Sequence, residues 1–351
     1  LRRNRYANHH KYSGYLALAS NAEFFLSLYG EFGRAYLLFE FHRFGQSLGR
    51  DERLTSVDPR RRHTLFSETE ESELCAQALV NYYQNRGFPS EAEKIEGLNY
   101  REGIFCSRGL RALVSKLVEV IEEKRKKGYE VLINATGGFK AESAYALLVG
   151  MLFRVPVYYI HEVFQNVVEM PVVPVSWDYS FLAEYEEFFH FLHADLRTKD
   201  EVREVLPTIP TEVRSLLTEE ERYIFLSPAG EAFFQAYLNR IEEEKIPIFF
   251  SRTAWEAFRS FDSTVQENFR RILRKLRLPE VRRNRARSIR IEDVSCFVYP
   301  DKKRDERVFF CEREGNLYVC ALGRHSDQSY ERLITKGVRC WKQKDFTPFE
   351  S

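Results

Sequence analysis

The sequence contains no apolar run approaching the ~20 residues that span a bilayer, and its first residues are basic and polar rather than signal-like. A soluble, cytoplasmic protein without membrane partners is therefore expected. The six cysteines (Cys75, Cys106, Cys296, Cys311, Cys320 and Cys340) include no close pair of metal-ligand spacing. That argues against zinc and for reduced, mostly buried thiols over disulfides. Clustered carboxylates and histidines of the kind a metal nuclease needs are lacking too, so no metal is expected. Net charge is nearly absent, at +1. The chain starts at Leu1 rather than Met, so a missing true N-terminus is an expectation.

What is there is long enough, at 351 residues, for two or three domains that each bury a core. Charge is small in sum but uneven in place. Counted along the chain, residues 1–177 carry about +2, residues 178–250 about −9 and residues 251–351 about +8. A basic end beside an acidic middle suggests separate jobs and a polyanionic partner for the last hundred residues. Solvated helix faces are the plainer explanation of such runs.

The richest stretch is Val131-Leu132-Ile133-Asn134-Ala135-Thr136-Gly137-Gly138-Phe139-Lys140, followed by a helix-like Ala141–Phe153 and a β-type Val155–Ile160. Strand, glycine turn and helix make a β-α-β unit whose turn presents helix N–H groups to an anion. Thr136 supplies a hydroxyl and Lys140 a charge. Gly137-Gly138 equally suits a tight connection with no ligand.

Asn134–Glu142, followed by Val155–Glu162, closely resembles the CRISPR-associated Rossmann-fold (CARF) domain family, over about the first half of the chain. The resemblance implies a sensor of cyclic oligoadenylates, the messengers made by type III CRISPR complexes. It implies a homodimer with the activator, cyclic tetra-adenylate before other ring sizes, bound across a two-fold axis. Asn134, Thr136, Gly137, Gly138 and Lys140 would lie near its phosphates and riboses. Degradation of the messenger by the same domain, through Thr136 and Lys140, stays open. CARF domains open with a strand and a Thr/Ser-rich loop, which the helix-like, aromatic-rich residues 1–50 do not show.

Further along, His63–Ser67 reads as a strand, and Ser67 and Thr69 either cap the helix carrying Leu74, Ala78 and Leu79 or face the ligand edge. Residues 107–128 form an amphipathic helix through Leu110, Leu113, Val114, Leu117, Val120 and Ile121, and its basic end suits a helix C-terminus. His161-Glu162 at a strand end is either a ligand group or structural. Residues 181–245 read as short helices between prolines, and Leu226–Glu231 resembles a helix start of winged helix-turn-helix modules. The acidic face repels DNA, so 178–250 is expected to be a connector, a dimerisation element or a surface for ribosomal proteins.

From Ile246 the pattern restarts with a strand, one long basic helix through Trp255 and Leu276, and three β-type runs at Ser288–Val294, Arg307–Glu312 and Asn316–Leu322. Glu314-Gly315 makes a hairpin turn. Over residues 255–335 this order resembles the RelE toxin superfamily, ribonucleases that cut mRNA on the ribosome. The likeness is clearest in Arg307–Phe310, the hairpin, and Gly323-Arg324-His325 followed by Tyr330.

Metal-free RNA cleavage needs the 2′-hydroxyl deprotonated, the phosphorane charge offset and the 5′-oxygen protonated. Arg307 and Arg324 suit the charge, His325 the proton transfer, Tyr330 a base stack or proton transfer, and Arg290 the scissile phosphate. Strand-end solvation and surface pairing would account for the same arginines.

The fold expected is thus multidomain. An α/β Rossmann-like CARF domain (1–177) precedes a small helical, winged-helix-like connector (178–250) and an α+β RelE-like ribonuclease domain (251–351). No cofactor is expected beyond the cyclic oligoadenylate activator. A messenger-responsive, DNA-binding transcription regulator is the alternative.

Overall fold

The computed structural model describes residues 36–43, 61–99, 108–137, 139–160, 167–291, 294–300, 304–336, 338 and 345–349. The chain is mixed α/β and divides into two compact units, 1–176 with 190–236, and 177–189 with 237–351. Segment 178–250, set apart in the sequence by its acidity, is thus shared between the units.

The first unit is built on a six-stranded sheet of β1 (Tyr36–Arg43), β2 (Arg61–Ser67), β3 (Ser90–Ile95), β4 (Tyr129–Asn134), β5 (Val157–Ile160) and β6 (Val167–Met170), in the order β3-β2-β1-β4-β5-β6. Helix α1 (Glu70–Gln84) joins the parallel pair β2/β3, α2 (Gly109–Lys126) precedes β4, and α3 (Lys140–Phe153) joins the parallel pair β4/β5. Strand β1 runs antiparallel to both neighbours, β2 and β4. Residues 35–41 look helical from their local apolar content, yet 36–43 is a central strand. Partners on both sides supply backbone pairing that a local pattern does not contain. The remainder of 1–50 and His161-Glu162 lie outside the described residues.

Helix α2 buries Leu110, Leu113, Val114, Leu117, Val120 and Ile121, as its 3.6-residue period dictates. Helix α1 differs from the pattern read off the sequence. Its inner face is Cys75, Leu79 and Tyr83, and Leu74 stands 64% exposed.

Helices α4 (Ser180–Glu184) and α5 (Glu186–Ala194) are followed by β7 (Arg197–Thr198), α6 (Thr211–Arg214), β8 (Leu217–Glu220), β9 (Tyr223–Leu226) and α7 (Pro228–Glu243). The strands make a small antiparallel sheet, β7-β9-β8, within a stretch read from the sequence as short helices between prolines.

In the second unit β10 (Ile248–Phe250) leads into α8 (Arg252–Ser260), α9 (Ser263–Leu276) and α10 (Pro279–Arg285). The one long helix expected here is broken because Asp262 caps a new one, its carboxylate accepting from the Thr264 and Val265 N–H groups. Strands β11 (Arg287–Ile291), β12 (Val294–Tyr299), β13 (Glu306–Arg313) and β14 (Asn316–Arg324) form an antiparallel meander. Strand β12 was absent from the sequence reading. Helix α11 (Gln328–Lys336) follows, and the sheet order is β11-β12-β13-β14-β10-β15, with β15 at Thr347–Pro348 and β10 parallel to β14. The β13–β14 turn has φ of 50° at Glu314 and 74° at Gly315, the left-handed pair that a two-residue hairpin requires.

Cys75, Cys296 and Cys311 are free thiols, but Cys320 is disulfide-bonded. The expectation of reduced cysteines throughout is corrected here: chain folding joins residues that spacing shows as unrelated. Among the described residues no helix is long and apolar enough to cross a membrane.

Candidate functional site

In the first unit the sequence-predicted residues gather at the C-terminal ends of β2 and β4. Leu38 of β1 is the register partner of both Thr64 and Asn134, so β2 and β4 flank one strand and lie two strand spacings apart, about 10 Å. Beyond β4, Asn134 makes an Asx turn. Its Oδ1 accepts from the Thr136 N–H at 3.0 Å and from the Thr136 hydroxyl at 2.6 Å. Both contacts are donors, which fixes the amide with Nδ2 on the other side. That Nδ2 is buried and has no hydrogen-bond partner among the described residues. Gly137 is buried and Lys140, the first residue of α3, is exposed; Gly138 lies outside the described residues. The start of α3 is not purely cationic, because the buried Glu142 carboxylate accepts from the Phe139 N–H at 3.1 Å.

Beyond β2, hydroxyls bond one another. Thr69 caps α1 by accepting from the Ser72 N–H, Ser67 donates to the Ser72 hydroxyl at 3.0 Å, and that hydroxyl sits 2.5 Å from the Ser67 carbonyl. Capping therefore accounts for Ser67 and Thr69 as they stand.

The first unit also holds a buried hub that sequence reading missed. Glu231 of α7 is fully buried and receives Arg111 Nε at 2.8 Å, Gln235 Nε2 at 2.6 Å and Ser115 Oγ at 3.3 Å, with His193 Nδ1 2.8 Å away. Burial alone pushes this carboxyl up. The His193 hydrogen bond and the charges of Arg111 and His193 outweigh it and hold the pKa at about 2. Arg111 also donates to the His193 carbonyl at 2.8 Å. Segment Leu226–Glu231, likened to a winged-helix start, thus has internal duties: Ser227 caps α7, Gly230 abuts the Leu216 carbonyl, and Glu231 anchors α7 to α2.

In the second unit, Arg307, Arg324, His325 and Tyr330 converge at one end of the β13–β14 pair. Register sets Arg307 opposite Gly323 and Glu306 opposite Arg324. The Tyr330 ring lies 5.0 Å from the His325 ring and 5.9 Å from the Arg307 guanidinium. Gly323 makes room for this, since a Cβ there would lie 3.0 Å from Leu333 and 4.0 Å from Tyr330 of α11. Asp305, which the sequence reading did not single out, organises the edge. Its carboxylate accepts from Arg324 Nε at 2.9 Å and from the Ser326 N–H and hydroxyl at 2.7 Å, and its carbonyl accepts from the His325 N–H at 2.7 Å. Burial raises the Asp305 carboxyl, but the Ser326 and Arg324 bonds together outweigh it and carry its pKa below the usual carboxylate range. Imidazole, guanidinium and phenol in that grouping can move a proton beside an anion that they also hold.

Arg290 does not join them. It pairs with Ser295, two residues before Phe297, which itself faces Phe310. That register sets Arg290 near the level of Glu312, roughly 15 Å along the strands from Arg307.

The charge asymmetry of the sequence is partly resolved within this unit. Glu184 pairs with Arg285 at 2.9 Å, Glu186 with Lys275 at 2.6 Å, and Glu187 with Arg304 at 2.6 Å. Arg282 is held by Glu312 and by the carbonyls of Leu276 and Arg277. Acidic residues 184–187 thus neutralise part of the basic face that suggested a polyanionic partner.

Comparison with known families gives a match over residues 48–173, just over a third of the chain, to the model of a CRISPR-associated protein family (Cas_APE2256). The matched segment spans the strands and turns at the β2 and β4 edge, and it supports a CRISPR-associated protein.

Proposed function

We propose that this protein is a cyclic-oligoadenylate-activated, ribosome-dependent mRNA endoribonuclease of type III CRISPR antiviral defence, working as a homodimer without a metal. The observation that carries the reading is the grouping of Arg324, His325 and Tyr330 with Arg307 at one end of a hairpin. The CRISPR-associated match over residues 48–173 and the buried Nδ2 of Asn134, without a hydrogen-bond partner among the described residues, support a messenger site in the first unit.

In this reading His325, exposed beside the Tyr330 ring, takes the proton of the ribose 2′-hydroxyl or returns one to the leaving 5′-oxygen. Arg324, aligned by Asp305, offsets charge on the phosphorane. Tyr330 offers a face for a base, and the ribosome orients the strand. The messenger must bind the active arrangement more tightly than the resting one.

Translation in a cell-free extract with and without cyclic tetra-adenylate, followed by mapping of mRNA ends on ribosomes, tests the reading. Messenger-dependent cuts that disappear in His325→Ala and Arg324→Ala are expected. Tight messenger binding with no cuts, and duplex binding that is sequence-specific and salt-sensitive, would shift the assignment to a DNA-binding regulator.

A further inference from the structure

Arg307 would be well placed to neutralise a phosphate, yet its residue is only 4% exposed. Its Nη1 donates to the carbonyls of Arg304 and Glu306, the latter at 3.0 Å, so the guanidinium folds back on the turn before its own strand. A guanidinium so placed does not reach an RNA strand. Among the described residues, three side-chain ties from neighbouring elements hold that turn. Asp305 binds Arg324, Ser326 and the His325 N–H; Glu306 accepts from Asn268 Nδ2 at 2.8 Å; and Arg304 donates to Glu187 Oε1 at 2.6 Å.

The third tie differs in kind. The other two are made within β13–β14 and with α9, whereas Glu187 belongs to the acidic segment 177–189, and its side chain is 68% exposed. An exposed ion pair biases an equilibrium by about five-fold at most, so it opens without unfolding anything. Burial raises the Glu187 carboxyl, but the Arg304 hydrogen bond and charge, with smaller contributions from Lys275 and Arg271, carry its pKa below the usual carboxylate range.

We propose that the Glu187–Arg304 pair is a latch that keeps the 304–306 turn closed over Arg307. Its release turns the Arg307 guanidinium outward to a phosphate of the RNA. Glu187 and Arg304 are then positioning residues acting through Arg307, and the inference rests on the nuclease reading of this edge.

The test uses the full-length chain in two assays: phenylglyoxal modification of Arg307, mapped by mass spectrometry, and mRNA cleavage in extract without messenger. Glu187→Gln is expected to raise both by about three- to five-fold, with an unchanged melting temperature and an unchanged rate at saturating messenger. The charge-swapped pair, Glu187→Arg with Arg304→Glu, is expected to return both to the wild-type level. Unchanged Arg307 modification in Glu187→Gln overturns the latch, even in a protein that cuts mRNA. Increased modification in a protein that never cuts, with or without messenger, upholds the latch and removes the nuclease reading instead.

Discussion

Arg111 Nε donates to Glu231 Oε2 at 2.8 Å, joining α2 to α7 across 120 residues of sequence. The carboxylate is fully buried, and removing it would strand a guanidinium that is itself only 16% exposed. Breaking such a pair costs about 3–5 kcal/mol. Glu231→Ala is therefore expected to lower the free energy of unfolding of the first unit by about 3 kcal/mol, measured by urea titration. A change under about 0.5 kcal/mol, the range of ordinary surface substitutions, would remove Glu231 from its anchoring role.

The same group predicts a pH dependence. Its folded pKa is depressed from 4.5 to about 2. Its contribution is therefore fully present above the unfolded value, and it is lost as pH falls through that value toward about 2. The loss across this window is on the order of 3 kcal/mol. Unfolding titrations between pH 5 and pH 2 should show a steeper decline in wild type than in Glu231→Gln. Parallel declines would place the acid sensitivity elsewhere.

Gly230 packs where no side chain fits: a Cβ would lie 2.0 Å from the Leu216 carbonyl oxygen, which is backbone and cannot swing aside. Gly230→Ala should destabilise by about 2–3 kcal/mol, despite the better helix propensity of alanine. Circular dichroism melts would register it, and a stabilised variant would contradict the packing.

On α1 the inner face is decided by Leu79, not Leu74. Leu79→Ala is expected to cost about 2–5 kcal/mol. Leu74→Ser, at a position 64% exposed, should stay within about 0.5 kcal/mol of wild type. Comparable losses at both positions would require a rotated helix.

Asp305 should matter more to activity than to stability. Asp305→Ala removes the carboxylate that aligns Arg324 and Ser326 but leaves the carbonyl that holds the His325 N–H. Messenger-dependent cleavage is expected to fall at least about ten-fold, as for loss of a charge-stabilising or orienting group, with the melting temperature little changed. Full activity in this variant would leave Arg324 outside the chemistry.

Local physics in the sequence determined much of this chain. The period of α2, the left-handed hairpin at Glu314-Gly315, the cap at Thr69 and the strand-turn-helix of β4 and α3 all follow from neighbours within a few residues. The convergence of Arg307, Arg324 and His325 was legible too, because a two-residue hairpin fixes the register of the strands that carry them. Long-range pairing decided the rest. Residues 36–43 became a strand because β2 and β4 flank them, and Arg290 was carried away from the other arginines by the register of β11 on β12. Glu231 gained its partners from α2 and from the end of α5. The acidic and basic runs, visible in the sequence only as opposite totals, became defined ion pairs at Glu184–Arg285, Glu186–Lys275 and Glu187–Arg304. Composition records how much charge a segment carries. Which charge meets which depends on backbone geometry that only the tertiary fold supplies.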